Sequence, residues 1–259
     1  MKKIGLVLGG GAVRGLAHIG VLKSLEKNEI PIHCIIGTSM GGAIGGLYAA
    51  GITASEIEST FIYTPKYRFI DLALWQRGLL AGNGITQIVG GLLERHSRAD
   101  LKIEQFPISF KAISVDLMEG KQVMLETGDL VTAVRATTAF PGVFSPLMVN
   151  DQMLVDGGVL NNLPVNVMQK EPVDFIIAVD VAREHEKKPP RNMIEIVYRS
   201  YSLMTAERKH NNLHLADLVI RPDVGQFAAF DFTKTMECIA AGETATDQII
   251  DELKRQIAD

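Results

Sequence analysis

Apolar and polar positions switch period several times in the first fifty residues. A short apolar run near 3–8 predicts a strand, and apolar residues at helical spacing near 14–28 predict a helix. A second apolar run near 33–37 predicts another strand, followed by a helix of small residues over 40–50. This β-α-β-α opening argues for an α/β fold of three layers, a central and mostly parallel sheet between helices. Such sheets collect ligands at the carboxyl ends of their strands. Further on, the pattern predicts strands near 108–115 and 122–126, then a helix near 129–138 that stops before Pro141. Two short strands flank the turn Asn150-Asp151, a short helix starts at Pro164, and the continuous apolar run 175–180 reads as a strand buried on both faces. A charged link with two prolines leads to a long helix near 193–208, a strand at 218–220 and one final amphipathic helix. The whole chain is expected to be a single domain, with a core over about 4–182 and a C-terminal extension over about 190–259.

Two stretches leave alternatives. Between 53 and 96 the pattern gives a helix, an aromatic and glycine-rich piece at 63–84 treated as a surface excursion, and a helix from Thr86. Leu72, Leu74, Trp75, Leu79 and Leu80, around Gly78 and Gly82, suit either core packing or an apolar cover near a site. Exposed, they would fit docking on lipid aggregates, a peripheral membrane contact. In the 193–208 helix, Met193, Ile196, Val197, Leu203 and Met204 suit a core face better than a dimer face.

Composition narrows the function classes. At 259 residues and 47% hydrophobic, the chain can bury a sizeable core. A net charge of −4 without a long Lys/Arg run gives no field for nucleic acid. Residues 30–55 carry no formal charge, but Pro31 and many glycines interrupt them, so a membrane span is not expected. Lys2 and Lys3 run at once into a glycine-bearing strand pattern, unlike a signal peptide. Cys34 and Cys238 lie in apolar segments without metal-ligand spacing, which fits buried, reduced thiols of a cytoplasmic protein and no bound metal.

The chemistry concentrates at Gly37-Thr38-Ser39-Met40-Gly41, between a strand and a helix. In a G-x-S-x-G turn the serine is held out at the mouth of a sheet, and the glycines let the flanking backbones pass. Serine needs a base to take its proton and donors to receive the oxyanion. Gly9-Gly10-Gly11-Ala12-Val13-Arg14-Gly15, at the end of the first strand, offers unshielded N–H groups for that purpose. It could also be a dinucleotide-binding turn, but the end of the second strand, where such a fold wants an acidic residue, is the Ser39 turn itself. Ser39 follows only the second strand, which argues against an α/β-hydrolase triad. Among the histidines, His18 lies inside the first helix and His33 at the upstream end of the serine's strand, both structural positions, and the later ones lack a presenting turn. A carboxylate is the better base, and Asp156-Gly157-Gly158, at the end of a short strand, is the candidate.

These three motifs, in this order, resemble the patatin-like phospholipases. The segments 17–26, 135–146, 161–165 and 216–225 resemble the small bacterial, neuropathy-target-esterase-like branch. The resemblance spans nearly the whole chain and implies a lipid acyl hydrolase acting on a lipid or fatty-acyl ester. It implies Ser39 as nucleophile, Asp156 as base, no catalytic histidine and no cofactor. Plant members carry a third glycine where this chain has Ala12. Backbone donors survive that change, so the oxyanion hole is expected collectively from Gly10, Gly11 and Ala12. Arg14 matches the family's basic position, where it would fix the loop, meet a phosphate or form an ion pair, and Arg135 carries the same alternatives. An acyltransferase using the same acyl-enzyme, or a lipid-binding regulatory protein with an idle dyad, remain the alternative functions.

Overall fold

The first apolar run forms β1 (Ile4–Leu8), with all five residues buried. The computed structural model describes residues 2–65, 67, 80–182, 189–190 and 192–258. After β1 a 3-10 turn, Ala12–Leu16, leads into α1 (Ala17–Lys27), then β2 (Cys34–Thr38), α2 (Met40–Ala49), α3 (Ala54–Tyr63) and α4 (Asn83–Arg95). The middle of the chain gives β3 (Ser109–Asp116), β4 (Lys121–Leu125), α5 (Leu130–Thr137), β5 (Leu147–Val149) and β6 (Gln152–Asp156). The rest gives α6 (Gly158–Asn161), α7 (Val165–Met168), β7 (Phe175–Val179), α8 (Met193–Leu213), β8 (Leu218–Ile220), α9 (Thr235–Asp247) and α10 (Ile250–Ala258). Local chemistry sets several of the helix starts. Thr53 and Glu56 form a reciprocal capping box on α3, and Asp129 and Asn192 accept the third N–H of α5 and α8.

The strands form one sheet in the order β5-β6-β3-β2-β1-β7-β8, with β4 also paired to β3. β1, β2, β3, β7 and β8 run parallel, while β4 and β6 lie antiparallel to β3. Side chains alternate between two cores. Ile4, Leu6, Leu8 and Ile35 face the larger one, and Val7, Cys34, Ile36 and Ile113 face the smaller one. The three-layer α/β architecture follows from strands that are apolar on both faces.

The pairing around β3 matters most for the site. β4 takes one edge along Ala112–Asp116, so the other edge is shared: β2 lies along Ser109–Ile113 and β6 along Ser114–Asp116. Because β2 runs with β3 and β6 against it, their carboxyl ends meet head to head. Thr38 stands opposite Ile113 and Asp156 opposite Ser114, adjacent residues of β3.

Three expectations change. The first helix opens as a 3-10 turn, and the single final helix is two, α9 and α10, separated at Gln248 and Ile249. The apolar stripe on α8 does not face the core: Met193 is 65% exposed and Met204 84%. Of the apolar stretch around Gly78, Leu72, Leu74, Trp75, Gly78 and Leu79 lie outside the described residues, while Leu80 bridges to Phe144. Helix α1 meets α9 backbone to backbone: a Cβ on Gly20 would lie 1.9 Å from the Ile239 carbonyl oxygen, and one on Gly242 1.9 Å from that of Ala17.

Candidate active site

Ser39 is the single residue between β2 and α2, with φ 55° and ψ −127°. A non-glycine residue held there costs roughly 1–3 kcal/mol and persists only where its surroundings fix it. Its N–H donates to the Thr137 hydroxyl at 2.9 Å, that hydroxyl donates to the Ile113 carbonyl, and the Ser39 carbonyl accepts from Ala43 N–H. The flanking glycines are required by contact. A Cβ on Gly37 would lie 2.5 Å from the Gly41 oxygen, and one on Gly41 2.2 Å from the Leu8 oxygen. The first turn of α2 therefore crosses directly over the end of β1, with its positive dipole end beside Ser39.

Asp156 ends β6 and is 1% exposed. Its Oδ1 accepts the Gly158 N–H at 2.8 Å, and the Ser39 hydroxyl lies close enough to favour its charged form. Burial outweighs both effects and pushes its pKa up to about 6. Gly157 lies flat on β3, where a Cβ would sit 2.2 Å from the Ile113 oxygen. A hydroxyl beside a carboxylate of that pKa can hand over its proton near neutral pH and receive it back.

The glycine loop faces the same point. Gly9 donates to Val179 and Gly10 to the Asn162 carbonyl at 3.0 Å, so Gly10, expected among the oxyanion donors, has its N–H engaged. Gly11 and Ala12 keep N–H groups with no acceptor among the described residues. Two further contacts hold the loop: the Asn162 side-chain amide donates to the Gly10 carbonyl at 3.1 Å, and His18 Nε2 donates to the Gly9 carbonyl at 2.7 Å. Complete burial lowers the His18 pKa to about 4, so it is a neutral brace. His33 accepts the Ile4 N–H through Nδ1, a structural position as expected. Gly15 lies against Met40. Arg14 is buried, with Nε donating to the Phe227 carbonyl and its guanidinium 5.9 Å from the Tyr198 ring. Arg135 Nη2 donates to the carbonyls of Ser145 and Ala81, tying down the start of α4.

Above Ser39 and Asp156 opens a pocket with Gly10, Gly11 and Ala12 in one wall. The rest is mainly aromatic: Phe140, Phe144, Tyr198, Tyr201, Phe230 and Phe232, with Met40 and Ile85. Such a lining suits an apolar chain with a polar group at its root. Tyr198 and Tyr201, one turn apart on α8, and Asn162 are site residues that the motif reading missed. Their signals were an i, i+3 aromatic pair and an Asn-Asn-Leu-Pro run.

The chain is similar to several known proteins. An uncharacterized NTE family protein of Mycobacterium tuberculosis (strain H37Rv) is 33% identical over 211 residues, covering 78% of this chain and 57% of that protein. Lysophospholipase NTE1 of Candida albicans is 35% identical over 194 residues, covering 73% of this chain and 14% of that protein. The chain thus spans little more than half of the first relative and a small part of the second. Among solved structures, VipD from Legionella pneumophila superposes with a TM-score of 0.63 at 12% identity, over 97% of this chain and 67% of that one, a likeness of fold. The pattern described for patatin-like phospholipases matches residues 6–168, and on that match this chain belongs to the patatin-like phospholipase family.

Proposed function

We propose that the chain is a serine hydrolase that cleaves carboxylic esters of lipids, a phospholipid or lysophospholipid, through an acyl-Ser39 intermediate with Asp156 as the base. The observation that carries this reading is the Ser39 hydroxyl set beside a buried carboxylate of pKa about 6, at the root of an aromatic pocket. In the first half-reaction Asp156 takes the Ser39 proton as Oγ bonds to the ester carbon. The oxyanion is received by the Gly11 and Ala12 N–H groups, and the leaving alcohol takes the proton back from Asp156 as the C–O bond breaks. Water then repeats the sequence on the acyl-enzyme, releasing the acid and restoring Ser39.

Labelling with a fluorophosphonate tests the reading. The native protein should label at Ser39, Ser39→Ala should not label at all, and Asp156→Asn should label at least 100-fold more slowly while remaining folded. A native protein that neither labels nor cleaves a short-chain ester would end the hydrolase reading.

A further inference from the structure

One polar group in the pocket is left over by this mechanism. Tyr201 sits on the inward face of α8 with its ring edge-on to Phe140, centroids 5.0 Å apart at 77°. Its hydroxyl lies against the turn that carries the base: a Cβ built on Gly158 would fall 1.6 Å from Tyr201 Oη and 2.7 Å from Asn162 Oδ1. Gly158 is also the residue whose N–H holds Asp156. Burial, reinforced by the neighbouring Asp156 charge, raises the phenol's pKa well above its ordinary value, so Tyr201 is a neutral donor at any working pH. Its hydroxyl makes no hydrogen bond to a described residue and opens on the pocket rather than being sealed from it. A polar group that opens inside an aromatic pocket fixes the orientation of a ligand by meeting one of its polar atoms.

The position selects which ligand atom. Gly11 and Ala12 face the carbonyl oxygen from the glycine loop, whereas Tyr201 stands on the side of Asp156, the group that returns the proton to the departing oxygen. We infer that Tyr201 is a catalytic residue that donates a hydrogen bond from its hydroxyl to the leaving alcohol oxygen of the bound ester. The phenol keeps its proton throughout. It stabilises the charge that develops on that oxygen as the C–O bond breaks, and Asp156 supplies the proton that the alcohol carries away. This rests on the serine hydrolase reading and adds a preference to it: esters of alkyl alcohols, glycerol among them, depend on Tyr201, while esters with stable leaving anions do not.

Tyr201→Phe removes one oxygen and keeps the ring against Phe140. The test compares kcat/KM on a p-nitrophenyl ester and on an alkyl ester of the same short acid, so that the acyl-enzyme is common to both. The variant should lose about 10- to 100-fold on the alkyl ester, the range of a hydrogen bond to a charged group, and less than about 3-fold on the p-nitrophenyl ester. Retained p-nitrophenyl turnover also certifies the fold. Equal losses on the two esters mark Tyr201 as a packing residue, and no loss on either marks it as a bystander; both results overturn the inference. If the native protein cleaves neither ester, the hydrolase reading fails first and the role of Tyr201 with it.

Discussion

At the scale of single residues, the pKa of Asp156 links activity to stability with opposite signs. On the proposed mechanism Asp156 must be unprotonated to act as base, so kcat/KM on a p-nitrophenyl ester should fall tenfold per unit below about pH 6 and level off above it. Its effect on folding follows from the same elevation above the ordinary 3.8. Below about pH 4 both folded and unfolded chains hold the proton and nothing is lost. As pH rises through 6 the fold must carry a buried charge, at a cost on the order of 3 kcal/mol. Asp156→Asn keeps an acceptor for Gly158 and removes the charge. It should therefore raise the urea midpoint at pH 7.5 and leave it nearly unchanged at pH 4, while abolishing turnover. A variant that is less stable at pH 7.5 than at pH 4, relative to the native protein, would contradict this. Ser39 and Asp156 were legible in the sequence because their glycine neighbours mark backbone crossings that any reader can locate. Asn162 and Tyr201 carry no such mark. The engagement of the Gly10 N–H depends on a carbonyl 152 positions away, so no local pattern could have removed Gly10 from the expected donors.

At the scale of elements, the strands and their limits were readable from apolar runs, whereas the close contacts between helices were not. Gly20 and Gly242 read as ordinary helical glycines, 222 positions apart, yet each admits the other helix's carbonyl. Glycine to alanine in a helix interior ordinarily stabilises by about 0.5–1 kcal/mol. Gly91→Ala in α4, where an added Cβ meets nothing within 4 Å, should do so. Gly242→Ala should reverse the sign and destabilise by about 1–3 kcal/mol, because α1 and α9 must separate. Denaturant unfolding of the two variants side by side checks the pair, and a stabilised Gly242→Ala would show that the helices can move apart freely. Helix α8 misled for a related reason. Its apolar residues spread around most of its circumference, so the periodicity did not tell which face was buried, and the inward side proved to be the one bearing Tyr198 and Tyr201.

At the scale of the whole molecule, the parallel half of the sheet was foreseen from the alternation of strand and helix, but the arrival of β6 from the opposite direction was not. Strand direction is settled by pairing across the chain, which a local pattern does not encode. A two-glycine insertion in the turn over 117–120, between β3 and β4, should leave fluorophosphonate labelling of Ser39 within about twofold of native. One residue inserted between Leu154 and Val155 should abolish it, since a one-residue slip in a strand turns every following side chain to the other face. Similar labelling of both insertion variants would mean that the register of β6 does not govern the site. No described helix is long and apolar enough to cross a membrane.

The head-to-head meeting of β2 and β6 makes β3 a ruler for the site. The strand ends that carry Ser39 and Asp156 are spaced by two adjacent rungs of one strand, Ile113 and Ser114. The turn over 117–120 lies off these rungs and can be lengthened without touching that spacing. The proposed chemistry thus depends on the pairing register of three strands, while much of the pocket's aromatic lining comes from elements outside that pairing, α8 among them.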